Sequence, residues 1–162
     1  MWAKKKFLAP ISRDTDCLLT MNSRGAALAE GIANNAILIA HGVTEVEDLP
    51  GDDMQLGVLL ALLQDDAKNQ SSWLTWKEGV AQKDVAATLR RDYLVSDERA
   101  DKLSGAWGRH PLLGRMYLPC YRAGTEAVAD LRRRYPPEKV LPALYGCRGM
   151  VDVVTVRQAL EA

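Results

Sequence analysis

The sequence is poor in the residues that build metal centres and disulfide frameworks. It has only two histidines, His41 and His110, and its three cysteines have no CxxC spacing. A zinc ribbon and a disulfide scaffold are therefore both poorly supported, and a reducing cytoplasm is the simplest location. No apolar run approaches the roughly 20 residues that cross a bilayer. The first residues lack the apolar stretch and cleavage site of a signal peptide.

Excess charge of either sign is also missing. Lysine plus arginine equals aspartate plus glutamate, at 21 each, so no overall field attracts nucleic acid or an anionic membrane. Two short helices around Val95 and Ser96 have the layout of a helix-turn-helix motif. The turn lacks a glycine, and Asp97, Glu98 and Asp101 make the second helix acidic. These features argue against a DNA-binding regulator, which is the least favoured of three functional hypotheses.

The hydrophobic residues of the sequence recur with helical periodicity throughout. Of the 162 residues 48% are hydrophobic and 26% charged, which suits one domain with a sizeable core. No stretch alternates with period two. We therefore predict an all-α fold, a single irregular multi-helix bundle over 17–162 preceded by an irregular arm over 1–16. The last long helix is expected to run from Pro111 to about Arg134 with a kink at Pro119.

Three segments give sharper helix predictions. Leucines and an alanine recur at helical spacing after the turn at 50–53, and Ser96 is placed to cap a helix that Gly108 ends. The stretch 26–40 is nearly all small or apolar, which indicates a helix buried on most sides. The residues at helical spacing are Leu56, Leu59, Leu60, Leu63 and Ala67.

Glu30 is the only charged residue between Gly25 and His41. A carboxylate in such apolar surroundings is costly unless it is paired, hydrogen-bonded or bound to a metal. Asn34 lies one turn away on the same stripe, and Gly31 would let a neighbouring backbone or a ligand come close. An arginine from another helix would explain Glu30 equally well.

A second group of candidate residues lies around the expected kink. Tyr117 and Tyr121 are one turn apart, and Arg115 precedes them. A tyrosine hydroxyl can donate to a developing oxyanion. The alternative is that both tyrosines simply fill the edge of a core, and on these residues alone it is favoured.

Several short motifs, in order, resemble gluzincin-like zinc metallopeptidases. The stretch 18–23 followed by Ala29-Glu30-Gly31-Ile32-Ala33 is similar to the segment that carries their third zinc ligand. The stretch 68–73 resembles the helix that follows their site. Arg115-Met-Tyr117 and Tyr121-Arg-Ala-Gly124 are similar to their Arg-x-Tyr and Tyr-x-x-Gly pattern. The resemblance implies that Glu30 is a zinc ligand and that Tyr121, with Arg115, stabilises the oxyanion during amide hydrolysis.

The chain departs from that family because it contains no HExxH, the segment that supplies two histidine ligands and the general base. We therefore expect the C-terminal helical part of such a peptidase, catalytically incomplete as given. Zinc would bind only if a preceding segment or a second chain supplied HExxH. The runner-up hypothesis is a non-catalytic helical binding or scaffold domain, whose apolar surface a partner or a second copy of the chain would cover.

Overall fold

The computed structural model describes residues 25–146 and 151–162. Across these residues the regular structure is helical and contains no strand, so the predicted all-α class is confirmed. The expected arm over 1–16 and the motif over 18–23 lie outside the described residues. None of the described helices is both long enough and apolar enough to cross a membrane.

The chain divides into two compact units, with one boundary in a connecting segment after Thr44 and the other within a helix after Arg122. The terminal unit comprises the described residues of 1–44 and 123–162, and the central unit comprises 45–122. Each has its own hydrophobic core. The single domain over 17–162 expected from the sequence stays a prediction.

The terminal unit contains helices from both ends of the chain. They are α1 (Ala26–Asn34), α2 (Ala36–Ala40), most of α6 (Leu118–Arg134), α7 (Pro137–Tyr145) and α8 (Val153–Glu161). The side chain of Asp152 caps α8 by accepting a hydrogen bond of 2.9 Å from the Thr155 backbone N–H. The buried core draws on α1 and on α6 to α8, through Leu28, Val128, Leu131, Val140, Ala143, Leu144, Val156 and Leu160.

The central unit is built around three α-helices. After a 3-10 turn (Val46–Asp48) come α3 (Asp52–Ser72), α4 (Gln82–Tyr93) and α5 (Asp97–Ser104), and the start of α6 closes the unit. Two π-helical turns, Trp73–Lys77 and Leu113–Tyr117, directly follow α3 and precede α6. The core lies between these helices and consists of Ala67, Val85, Ala86, Leu89, Val95, Ala100, Leu103 and Leu118.

The ends of α4 and α5 follow local backbone chemistry. Ser96 Oγ accepts a hydrogen bond of 3.2 Å from the Arg99 N–H, so the predicted cap of α5 is confirmed. The helix then ends at Gly105, three residues before the predicted stop at Gly108. Leu94, the residue after α4, has φ 52° and is exposed. This left-handed conformation costs a leucine about 1–2 kcal/mol relative to the ordinary helical one.

The long helix expected from Pro111 is interrupted before Pro119 rather than at it. The Tyr117 N–H bonds to the Leu112 carbonyl five residues back, at 3.1 Å, which gives a π-helical turn. The α-helical pattern starts only at Leu118, so Pro119 lies in the first turn of α6. Pro119 directly follows the Leu118 N–H that bonds to the Leu113 carbonyl, and as a proline it has no N–H with which to continue this ladder.

Two apolar stretches each present a set of exposed side chains. One stripe of 26–40 is exposed, whereas the other ten residues are buried or partly buried, so the prediction that this stretch is buried on most sides is confirmed. The exposed stripe is formed by Ala29, Ala33, Ala36, Ile37 and Ala40. The helix predicted from the leucine spacing is present as α3. Its Leu56, Leu59 and Leu60 are nevertheless 43–55% exposed, whereas Ala67 is fully buried.

The predicted close approach at Gly31 is confirmed. A methyl group at Gly31 would overlap the backbone carbonyl of Gly124, and one at Gly124 would overlap the carbonyl of Ala27. Helices α1 and α6 therefore touch through their backbones in the terminal unit. The side chain of Asn35 strengthens this contact by donating to the Thr125 carbonyl at 3.2 Å.

Replacing Gly31 with alanine is expected to destabilise the protein, because backbone cannot move aside as a flexible side chain can. Overpacking of this kind costs about 1–3 kcal/mol and sometimes more. Gly57→Ala is the matched control, since it lies inside α3 and a methyl there meets nothing within 4 Å. It should instead add about 0.5–1 kcal/mol through helix propensity. Urea unfolding followed by circular dichroism compares the two, and equal effects would contradict the close contact.

Candidate functional site

Glu30 lies in the middle of α1 and is partly buried. It takes part in a polar or electrostatic contact, so it is not an isolated carboxylate. Asn34, on the same stripe, donates to Thr125 Oγ1 of α6 at 2.8 Å. His41 is exposed just beyond α2. Asn34 thus has a structural partner within the terminal unit.

A zinc site would need more ligands than this neighbourhood supplies. Among residues 25–146 and 151–162, no three histidine, cysteine, aspartate or glutamate side chains lie together in a way that suits a metal. A catalytic zinc takes three protein ligands and a water. Within the described residues, Glu30 would therefore need further ligands from elsewhere to hold a zinc ion.

Tyr121 belongs to a polar cluster of the central unit. The Lys68 ammonium lies 3.3 Å from the centroid of its ring and 2.7 Å from Asp65 Oδ1. The ring of Tyr117 meets that of Tyr121 edge to face, with centroids 5.4 Å apart. Lys68 and Asp65 are both largely buried, at 13% and 6% side-chain exposure. We call Asp65, Lys68, Tyr117 and Tyr121 the Lys68 cluster.

The Lys68 cluster is one in which a positive charge is held away from water. The ammonium is compensated on one side by a carboxylate and on the other by the negative face of an aromatic ring. Next to the cluster, Arg122 Nε pairs with Asp66 Oδ1 at 3.1 Å. Such an arrangement can orient the tyrosines and fix α3 against α6. It also provides hydroxyl donors beside a cation, which is a chemistry that suits oxyanions.

Arg115 has a different neighbour from Tyr121. Its guanidinium lies 5.8 Å from the centroid of the Trp76 ring, within the range of a cation–π contact. The residues around it are large, apolar and exposed. Trp73, Leu112 and Met116 are 49–54% exposed, and Trp76 is 39% exposed. We call Trp73, Trp76, Leu112, Arg115 and Met116 the Trp76 surface.

The Trp76 surface is carried by the two π-helical turns. The indole N–H of Trp76 donates to the Gly108 carbonyl at 2.7 Å. His110 Nδ1 accepts hydrogen bonds of 3.2 Å from the backbone N–H groups of Leu112 and Leu113, and so caps the second turn. Gly114 packs on the backbone of Gly108, where any side chain would collide. These contacts fix the segment 107–117 against the end of α3.

Ion pairs elsewhere in the central unit are ordinary surface contacts. Hydrogen bonds from Arg91 and Lys102 lower the pKa values of Asp92 and Glu98, respectively. Both carboxylates are solvent-exposed, so these pairs contribute little stability. Burial, assisted by the charges of Asp66 and Asp92, raises the pKa of Tyr93 and keeps its phenol protonated.

Sequence reasoning named Tyr121, Tyr117 and Arg115 but missed the residues that they contact. Asp65 and Lys68 are three apart on α3, a spacing shared by many surface ion pairs, so nothing in the sequence marks this pair as buried. The Trp76 surface did leave a signal. Three of the four tryptophans fall within 67–77 and 102–125, two segments that contain lysine and arginine but no aspartate or glutamate.

We expect Lys68→Met to lower the free energy of unfolding by about 3–5 kcal/mol, because it leaves the buried Asp65 without its ammonium partner. The double variant Asp65→Leu/Lys68→Met removes both charges and should recover most of the loss. Thermal and urea unfolding of the two variants and of the parent measure the difference. A single variant that unfolds like the parent would show that the pair is solvated.

Comparison with known proteins identifies no relative of this chain. No family model, curated protein or solved structure matches it. The resemblance to gluzincin-like peptidases therefore depends on the short motifs around Glu30, Lys68, Arg115 and Tyr121 alone. The function has to be argued from the geometry of the two units.

Proposed function

We propose that this chain is a non-catalytic helical binding module that recognises a protein partner through the Trp76 surface. The observation that carries the proposal is the exposure of Trp73, Trp76 and Met116 on the two π-helical turns, which the contact between Arg115 and Trp76 brings together. Tryptophan, methionine and arginine are enriched at the centres of protein interfaces. Tryptophan and arginine are also the residues whose truncation most often costs binding energy.

The proposal is also supported by contacts that hold two of these side chains in place. Trp76 is held by its hydrogen bond to Gly108, and Arg115 packs on its ring. Side chains that are already fixed lose less conformational entropy when a partner binds. An exposed tryptophan on a solvated, mobile segment would offer no such advantage. The two π-helical turns agree with this reading, because such turns occur frequently at functional sites.

Removal of the anchor should release the partner. We expect the protein from its native source to migrate in native electrophoresis as a complex larger than the chain itself. Trp73→Ala should return it to the mass of the free chain, because truncating a central aromatic anchor costs about 2 kcal/mol or more of binding energy.

Leu56→Ser is the matched control, since Leu56 is 55% exposed in the same unit but lies on α3 outside the Trp76 surface. It should leave the complex intact. A wild-type protein that migrates at 17.9 kDa would contradict the proposal. So would a complex that Leu56→Ser dissociates and Trp73→Ala does not.

A second candidate follows from the Lys68 cluster. We propose, as this second candidate, that the chain is the C-terminal helical part of a gluzincin-like metallopeptidase that another segment or chain completes. The supporting observation is that Tyr121, the residue to which the resemblance gives the oxyanion role, lies beside a desolvated ammonium group. In that case Glu30 would supply one zinc ligand, and Tyr121 would donate to the developing oxyanion.

Metal content separates this candidate from the first one. If it holds, the native protein is a longer species that carries about one zinc per chain, as a catalytic site requires. Glu30→Gln should lower the zinc content, whereas Glu138→Gln, an exposed control on α7, should not. Intact mass spectrometry with elemental analysis gives both quantities. A metal-free species of 17.9 kDa would exclude the peptidase for this chain.

A further inference from the structure

We infer that the partner of the Trp76 surface is an acidic amphipathic protein segment, one that carries apolar anchors next to aspartate or glutamate. This inference rests on the proposed binding function and specifies the chemistry of the partner. It follows from the distribution of charge and of apolar area around the two π-helical turns.

The charge around the Trp76 surface is one-sided although the chain as a whole is neutral. The segments 67–77 and 102–125 contain six lysines and arginines and no carboxylate side chain. Because the chain has no net charge, an excess of positive residues in these two segments means that the negative residues are concentrated elsewhere. Carboxylate residues border both segments directly: Asp66 and Glu78 flank the first, and Asp101 and Glu126 flank the second. The cations are Lys68, Lys77, Lys102, Arg109, Arg115 and Arg122.

Half of these six cations already have carboxylate partners from outside the two segments. Lys68 pairs with Asp65, Lys102 with Glu98, and Arg122 with Asp66. Arg109 donates to the backbone carbonyl of Val80 at 3.2 Å. In the part of the chain that the structure describes, the exposed Lys77 and Arg115 have no carboxylate partner. These two positive charges flank exposed tryptophan, leucine and methionine side chains.

A partner that complements this surface must bring negative charge and apolar side chains together. An amphipathic acidic helix does so, with leucine or phenylalanine anchors at i, i+3 and i+4 and carboxylates on the flanks. Methionine, as at Met116, adapts to different anchor shapes because its side chain is flexible and polarizable. The carboxylates would reach Lys77 and Arg115, and the anchors would cover the tryptophans. Complementary charge would also speed the association at low salt.

Single-stranded nucleic acid is the competing class of partner, because it too combines negative charge with flat rings. The arrangement of the site favours the peptide. The Arg115 guanidinium already lies 5.8 Å from the centroid of the Trp76 ring, where a base would have to stack, and the indole N–H is used by Gly108. Binding along a phosphate backbone also calls for a groove lined with positive charge, whereas Arg115 is the one cation of the Trp76 surface, with Lys77 and Arg109 outside it.

The test uses a fluorescein-labelled synthetic helix of about 18 residues, with leucines at i, i+3, i+4 and i+7 and glutamates elsewhere. Fluorescence anisotropy measures its affinity for the full chain at low and at high salt. Two further probes share the assay: the same peptide with every glutamate replaced by lysine, and oligothymidine of similar length. We expect the acidic peptide alone to bind, and to bind more weakly as salt rises.

Variants localise the binding. Arg115→Glu and Trp73→Ala should each weaken the acidic peptide by about tenfold or more, as anchor residues do. Lys83→Glu, an exposed charge reversal on α4 of the same unit, should change the affinity by less than about twofold. All three substitutions are at partly or fully exposed positions, and their circular dichroism spectra and melting temperatures verify that the fold is kept.

Each other result overturns the inference. Three outcomes would contradict it: no binding of the acidic peptide, equally tight binding of the lysine peptide, or a loss of affinity with Lys83→Glu as large as that with Arg115→Glu. Preferential binding of oligothymidine would assign the surface to nucleic acid instead. The proposed module is judged separately. If Trp73→Ala dissociates the native complex but the acidic peptide does not bind, the binding function stands and only the partner chemistry is wrong.

Discussion

The hydrogen bond from the Trp76 indole to the Gly108 carbonyl connects the first π-helical turn of the central unit to the segment that precedes the second. The first turn follows α3 and the segment leads into α6, and the backbones of Gly108 and Gly114 meet there without intervening side chains. The positions of Trp76 and Arg115 follow from this junction. A methyl group at Gly108 would overlap the Leu103 carbonyl, and one at Gly114 would overlap the Gly108 carbonyl that accepts the Trp76 hydrogen bond.

Backbone contact through glycine also organises the terminal unit. Gly31 and Gly124 bring α1 and α6 together, and Asn35 completes the contact with hydrogen bonds. Glu30 is thereby placed next to the tightest point of that unit. The small residues that surround Glu30 in the sequence are the ones that allow this close backbone contact, through its neighbour Gly31. In both units the position of a candidate residue is thus set by neighbours that have no side chain.

Periodicity and capping signals were enough to predict most helices, including α3 and the serine cap of α5. They failed where neighbours distant in the sequence decide the outcome. The leucine spacing correctly indicated a helix, but it could not show that Ala67 rather than Leu59 would face the core. The sequence does not distinguish Lys68 from a surface lysine, because its burial depends on its contacts with Asp65 and Tyr121. The π-helical turns left no trace in composition, because a single extra residue in a helical turn changes no pattern that a sequence reveals.

That extra residue has a consequence for how the Trp76 surface can change over time. The N–H of Glu78 bonds to the carbonyl of Trp73 five residues back instead of four. Deletion of one residue between Trp73 and Trp76 would restore an α-helical pitch and rotate Trp76 and Lys77 by about 100° around the axis relative to Trp73. A substitution alters one side chain here, whereas a one-codon deletion would change the direction of Trp76 relative to Arg115 and Met116 on the second π-helical turn. Variation in length at this turn, more than variation in composition, is therefore the change by which descendants of this chain would gain or lose the surface.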